Sequence, residues 1–229
     1  MKPESSSRCG IRSIKNRRLM ITIICWQMKK KLGNDFYRRD DVLLIARELI
    51  GKILVSHLDG ILTSGRIVEC EAYAGLKDKA AHSFGGRRTS RTETMYSPGG
   101  VAYVYLCYGI HHLFNIVTNV KDVPQGILIR SLEPVKGITD MLLRTGKEKA
   151  DNSLTRGPGN VTRAMGISTS HNSTPLTGTR IYVVDDGFRY PPASIQSSPR
   201  IGVDYAGADA LLPYRFFVKG NGFVSGRPK

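Results

Sequence analysis

Acidic residues are scarce in this chain of 229. Nineteen Asp and Glu stand against 34 Lys and Arg, a formal net charge of +15. Such a surplus turns away cationic ligands and favours polyanions, either nucleic acid or an acidic membrane surface. Long apolar runs are also missing. The longest, Leu19–Trp26, falls far short of the roughly 20 residues of a membrane span. Cysteine is limited to Cys9, Cys25, Cys70 and Cys107, with no CxxC pair and no His–Cys spacing suited to zinc. A zinc module and a disulfide framework are therefore not expected, and the thiols read as packed side chains of a reducing compartment. Gly157-Pro158-Gly159-Asn160 lacks the lysine–Ser/Thr pair of a P-loop, and no Ser or Cys stands in a nucleophile elbow.

What remains is one domain's worth of chain, 41% apolar, without internal repeats or a clear linker. Residues 1–34 hold nine Lys/Arg against the single acid Glu4, so +7 of the net charge stays with residues 35–229. The first segment is expected to be a poorly ordered basic extension. It resembles a weak signal peptide without a small-residue cleavage site, and a transit peptide or a start at Met20 or Met28 reads equally well.

Asp40 and Asp41 cap an apolar-periodic helix over 42–50 that Gly51 ends. A strand over 53–57, the turn signal Asp59-Gly60 and a second strand reaching Tyr73 form a hairpin. Residues 74–100 read as loop, with a turn of helix at 78–82. Strands are expected over 101–107, 113–118 and 126–132. Glu133-Pro134 opens a helix running to about Arg144, and Gly157-Pro158-Gly159 introduces another through Met165. Two more strands, over 180–184 and 215–219, flank a loop-rich stretch. This order predicts a single α+β domain with a mainly antiparallel, curved sheet and flanking helices.

In Arg66–Tyr73, the strand period of two puts Glu69, Glu71 and Tyr73 on one face, and Val68, Cys70 and Ala72 on the other. Buried carboxylates are costly unless paired or used, so the first face is either a solvated sheet surface or a site. Three segments bear on that choice. Tyr103 and Tyr105 share a strand face, with Tyr108 projecting at the strand end beside Gly109. Aromatics at such positions are either sheet core or stacking platforms. Arg130, alone in an apolar strand, needs a carboxylate partner, for which Glu69 and Glu71 are the candidates. His82 sits in a loop that continues through Arg87, Arg88 and Arg91, suited to phosphate contacts or simply solvated. His111 and His112 are adjacent, face opposite ways in a strand and would not chelate one metal.

Together, Glu71-Ala72-Tyr73, Ala80-Ala81-His82-Ser83, Tyr103-Val104-Tyr105 with Tyr108-Gly109, Asn115, Leu128-Ile129-Arg130 with Leu132-Glu133-Pro134, and Arg200-Ile201-Gly202-Val203 resemble the alkyladenine (3-methyladenine) DNA glycosylases of the mammalian type, which bacteria also carry. The likeness runs from about Phe36 to Ser225. It implies a domain that lies along the minor groove and flips a damaged purine nucleotide from duplex DNA into a pocket. Glu71 would be the general base for a water, held also by Arg130 and the carbonyl of Ile201. Tyr73, His82 and Tyr105 would form the base pocket, with Asn115 on its floor where it crowds the amino group of guanine. Tyr108 would fill the gap in the duplex. Ile110 and His111 depart from the family pattern, which bears on groove contacts and lesion preference.

Base extrusion costs a few kcal/mol, least for damaged pairs, and stacking on the tyrosines offsets a cost of that size. With no lysine in these segments placed for a Schiff base, the expectation is a monofunctional enzyme that leaves an abasic site. It would work as a monomer inside the cell wherever DNA is held, without metal, organic cofactor or membrane. A non-catalytic nucleic-acid-binding module and a free-nucleoside hydrolase are the competing readings.

Overall fold

The computed structural model describes residues 30–226. The anticipated basic extension lies outside the described residues as far as residue 29. Its last part does not: Lys30–Lys31 form strand β1, and helix α1 spans Asn34–Tyr37. Helix α2, Val42–Leu49, is capped by Asp41, whose carboxylate accepts from the amides of Leu43 and Leu44 at 2.9 Å. Strands β2 (Ile53–Leu58) and β3 (Ile61–Tyr73) form the predicted hairpin. Asp59 and Gly60 both take positive φ, 52° and 77°, as a tight primed turn requires.

Next come β4 (Ala102–Cys107), β5 (His111–Thr118) and β6 (Gln125–Lys136), then helices α3 (Ile138–Thr145) and α4 (Pro158–Met165). Strands β7 (Ile181–Asp185), β8 (Ile195–Ser198) and β9 (Arg215–Val218) complete the described chain. One nine-stranded sheet runs β1-β7-β2-β3-β6-β5-β4, with β9 between β3 and β8, and every pairing is antiparallel. The domain is α+β.

Two local expectations fail. Glu133-Pro134 opens no helix; both lie inside β6, and α3 begins only after Gly137. The 13-residue β3 gives β6 a partner to follow, and a register shift at Ser64/Gly65 falls opposite Pro134, which has no N–H to donate. Gly65 also permits close contact, since a Cβ there would stand 2.8 Å from that of Leu132. Residues 78–82 form turns rather than a helix, because the Asp78 carboxylate accepts from the amides of Ala74 (2.9 Å) and Ala80 (3.0 Å).

The alternation of the central strands sorts the molecule into two sides. Val68, Cys70, Ala72, Val104, Phe114, Ile116, Ile127 and Ile129 point into the main core, joined there by Ile45 and Leu49 of α2, Met141 of α3 and Val161 and Met165 of α4. Each such large side chain contributes roughly 1.5–3 kcal/mol by burial. The opposite face of the same strands carries Glu69, Glu71, Tyr73, Tyr103, Tyr105, Asn115 and Arg130. That face builds the site.

Candidate active site

A cleft of about 570 Å³ opens on this second face, within the size range of small-ligand sites. Tyr73, His82, Tyr105, Tyr108, Asn115, Arg130 and Ile201 all line it, as does Arg91. Eight of the site residues expected from sequence thus meet around one space. Glu71 lies behind them, fully buried.

Glu71 and Glu69 do not form a solvated surface. Both are at 0% exposure, and each is compensated. For Glu71, Oε1 accepts from the Ile201 amide at 2.8 Å and stands 3.3 Å from Arg130 Nη1, while Oε2 accepts from the Tyr73 hydroxyl at 3.0 Å. For Glu69, Oε1 takes Arg215 Nε (2.7 Å), Arg130 Nε (3.1 Å) and Ser225 Oγ (2.9 Å). Its Oε2 takes Ser131 Oγ (2.7 Å) and the Ser225 amide (2.6 Å). A carboxylate has about four acceptor positions. Glu69 takes five donors, whereas Glu71 takes two hydrogen bonds and the Arg130 charge.

Arg130 joins the two acids. Burial works to lower its pKa, but Glu71 and Glu69 outweigh that and the net shift is upward. Tyr73 is pushed well up by burial and then by the Glu71 charge, so it stays a hydroxyl donor. Tyr103 and Tyr105 stack at 5.4 Å between centroids, and the His82 ring meets Tyr105 edge-on at 4.6 Å. His82 Nδ1 pairs with the Tyr103 hydroxyl at 3.0 Å. Its pKa falls to about 4, through burial first and then the charges of Arg91 and Arg87, so the imidazole is neutral at physiological pH. Asn115 donates through Nδ2 to the Tyr103 carbonyl at 3.1 Å.

Tyr108 is 88% exposed at the tip of the β4–β5 hairpin with φ of 51°, an uncommon conformation for a residue other than glycine. The three loop arginines part company. Arg91 lies 5.1 Å over the Tyr105 ring at the cleft. Arg87 is exposed beside a smaller hollow of about 420 Å³ shared with Lys79, His82 and Tyr205. Arg88 is held in ion pairs with Glu93 (2.7 Å) and Asp122 (2.8 Å). Among the described residues, no three His, Cys, Asp or Glu gather as a metal cluster, and no helix is long and apolar enough to cross a membrane.

The sequence reading missed the supports. Arg215 and Ser225 complete the Glu69 network, and Arg200 pairs with Asp78 beneath Tyr73. A second lone arginine in an apolar strand, Arg215 among the phenylalanines and valine of β9, was the available signal. Tyr205, 71% exposed at the cleft edge, carried none.

The site is thus a buried carboxylate paired with an arginine, behind an aromatic cleft on a basic α+β domain. Comparison with known proteins names the group. Residues 35–222 match the family described as methylpurine-DNA glycosylase (MPG). Among curated relatives, a protein of Clostridium perfringens is 43% identical over 203 residues, covering 85% of this chain and 98% of its own length. One of Bacillus cereus is 46% identical over 193 residues, 81% and 94% of the two chains. One of Chlamydia abortus is 44% identical over 188 residues, 82% and 97%. All three are named, provisionally, as 3-methyladenine DNA glycosylases. The chain belongs to the methylpurine-DNA glycosylase family, enzymes that hydrolyse N-glycosyl bonds in damaged DNA.

Proposed function

We propose that this protein begins base excision repair by flipping alkylated or deaminated purines of the 3-methyladenine, 7-methylguanine and hypoxanthine class out of duplex DNA and hydrolysing their N-glycosidic bond. The observation that carries the reading is the asymmetry of the two buried acids. Glu71 has fewer donors than Glu69 and is held by three cleft-lining residues, Tyr73, Arg130 and Ile201, the place from which it would take the proton of the water that attacks the anomeric carbon. The carboxylate also stabilises the oxocarbenium-like sugar that develops. Arg130 and the carbonyl of Ile201 hold that water.

The flipped base stacks between Tyr73 and Tyr105. Neutral His82 and the Asn115 amide meet its edge, with Asn115 crowding the amino group of an undamaged guanine. Tyr108 enters the duplex in place of the extruded base. Arg87 and Arg91 lie where phosphates would pass; Arg88 contributes less, its charge being shared with two acids. Positively charged lesions gain a further roughly 0.5–2 kcal/mol on tyrosine faces. Binding is to duplex DNA as a monomer, and the product is an abasic site in an unbroken strand.

The test is release of free base from a panel of duplexes, each bearing one lesion, with the strand checked for breaks. Release without scission is expected, together with affinity that falls steeply with salt as phosphate contacts displace counterions. Tight lesion binding with no base released from any member of the panel would return the protein to a binding module. Equal activity on free nucleosides would make it a nucleoside hydrolase.

A further inference from the structure

Two donors of Glu71, the Ile201 amide and the Tyr73 hydroxyl, belong to residues that adjoin Arg200, with which Glu71 shares no hydrogen bond. Arg200 is 5% exposed and lies outside the cleft lining, while its neighbour Ile201 and the ring of Tyr73 are part of that lining. The Arg200 guanidinium sits 4.8 Å over the Tyr73 ring and therefore backs the face turned away from the cleft. Tyr214 flanks it at 5.2 Å. Nη2 reaches Asp78 Oδ1 at 2.8 Å, and Nη1 reaches Asp78 Oδ2 at 2.5 Å and the Ala72 carbonyl at 3.0 Å. The same Asp78 carboxylate caps the amides of Ala74 and Ala80, just ahead of His82.

One buried fork thus ties together the end of β3, the loop that carries His82 and the loop that carries Ile201. The bidentate geometry fixes orientation as well as charge. We infer that the Asp78–Arg200 pair is a positioning device for the reaction: it holds the Ile201 amide and the Tyr73 hydroxyl on Glu71, and so fixes the orientation in which the Glu71 carboxylate meets the attacking water. The inference rests on the role given to Glu71 above. Arg200 does not touch the reacting atoms; it acts through the groups it fixes.

The experiment compares single-turnover base release with affinity for the same lesion duplex, using the lesion that the unaltered chain releases fastest. Arg200→Lys keeps the charge but loses the fork. It is expected to slow release about ten- to a hundredfold, the cost of a small misplacement of a catalytic group, while the duplex Kd changes by less than about threefold. In a Glu71→Gln background the same substitution should leave the residual rate unchanged, because its effect passes through Glu71.

If Arg200→Lys does not fold, the neutral pair Asp78→Asn with Arg200→Gln leaves no unmatched buried charge and carries the same comparison. Release at the unaltered rate by either folded variant overturns the inference, as does an equal loss in the presence and absence of Glu71. Full activity in Glu71→Gln alone sinks the underlying reading instead, whatever Arg200 does.

Discussion

Glu69 and Glu71 stand two residues apart on the same strand face, both fully buried, yet the first takes five donors and the second takes fewer. Equal burial with unequal satisfaction divides their labour. The first anchors Arg130 and Arg215; the second is the one proposed to serve as general base.

Glu71→Gln should therefore cut base release to a small residual rate while lesion-duplex binding survives, since the amide fills the same space and the stacking surfaces are untouched. A gel-shift titration beside a release assay checks both halves. Turnover near the unaltered rate would remove Glu71 as the general base.

Glu69→Gln should act on stability instead. It removes the shared charge from two buried guanidiniums, and breaking a buried pair in this way costs about 3–5 kcal/mol. Urea denaturation measures the loss. A change below about 1 kcal/mol would mean that the network is not the anchor described here.

Tyr108 makes few demands on folding, being exposed and held at positive φ. Tyr108→Gly should leave the melting temperature unchanged or slightly raised, because glycine adopts that conformation without strain. Loss of the wedge should nevertheless weaken lesion-duplex binding by about 1–3 kcal/mol, the worth of one aromatic stack. Unaltered affinity would contradict the wedge role.

His82 predicts a pH effect. Its folded pKa lies near 4, below the ordinary 6.5, so the unfolded chain takes up a proton first as pH falls. The stability held by neutral His82 is complete above pH 6.5 and is lost between there and about pH 4, up to about 3 kcal/mol in all. His171, also shifted downward, chiefly by burial, adds a slope of the same sign. Chemical denaturation of His82→Asn from pH 7 to 4 should show a shallower decline than the unaltered chain; identical slopes would place the effect elsewhere.

Much of the site was legible in the sequence because strand alternation is strict. Once Val68, Cys70 and Ala72 are read as core, the opposite parity must carry Glu69, Glu71 and Tyr73, and the lone Arg130 must find them. Local signals failed where a distant partner overrode them. Glu133-Pro134 looks like a helix start, but β3 extends far enough to keep that segment in the sheet. Strand β8 was read as loop, since Ile195–Ser198 shows little pattern until β9 lies beside it. The Asp78–Arg200 pair spans 122 positions, and no periodicity links residues so far apart.

Strand β3 is flanked along its whole catalytic stretch, by β6 on one edge and by β2 and then β9 on the other. Its amides around Glu71 should accordingly exchange with deuterium only on global unfolding. The groups proposed to meet DNA hang instead from the hairpin tip at Tyr108 and from loops around His82 and Ile201. On the proposed reading, changes in those appendages would alter the range of lesions accepted, while the groups assigned to bond cleavage stay on the part of the molecule that melts last.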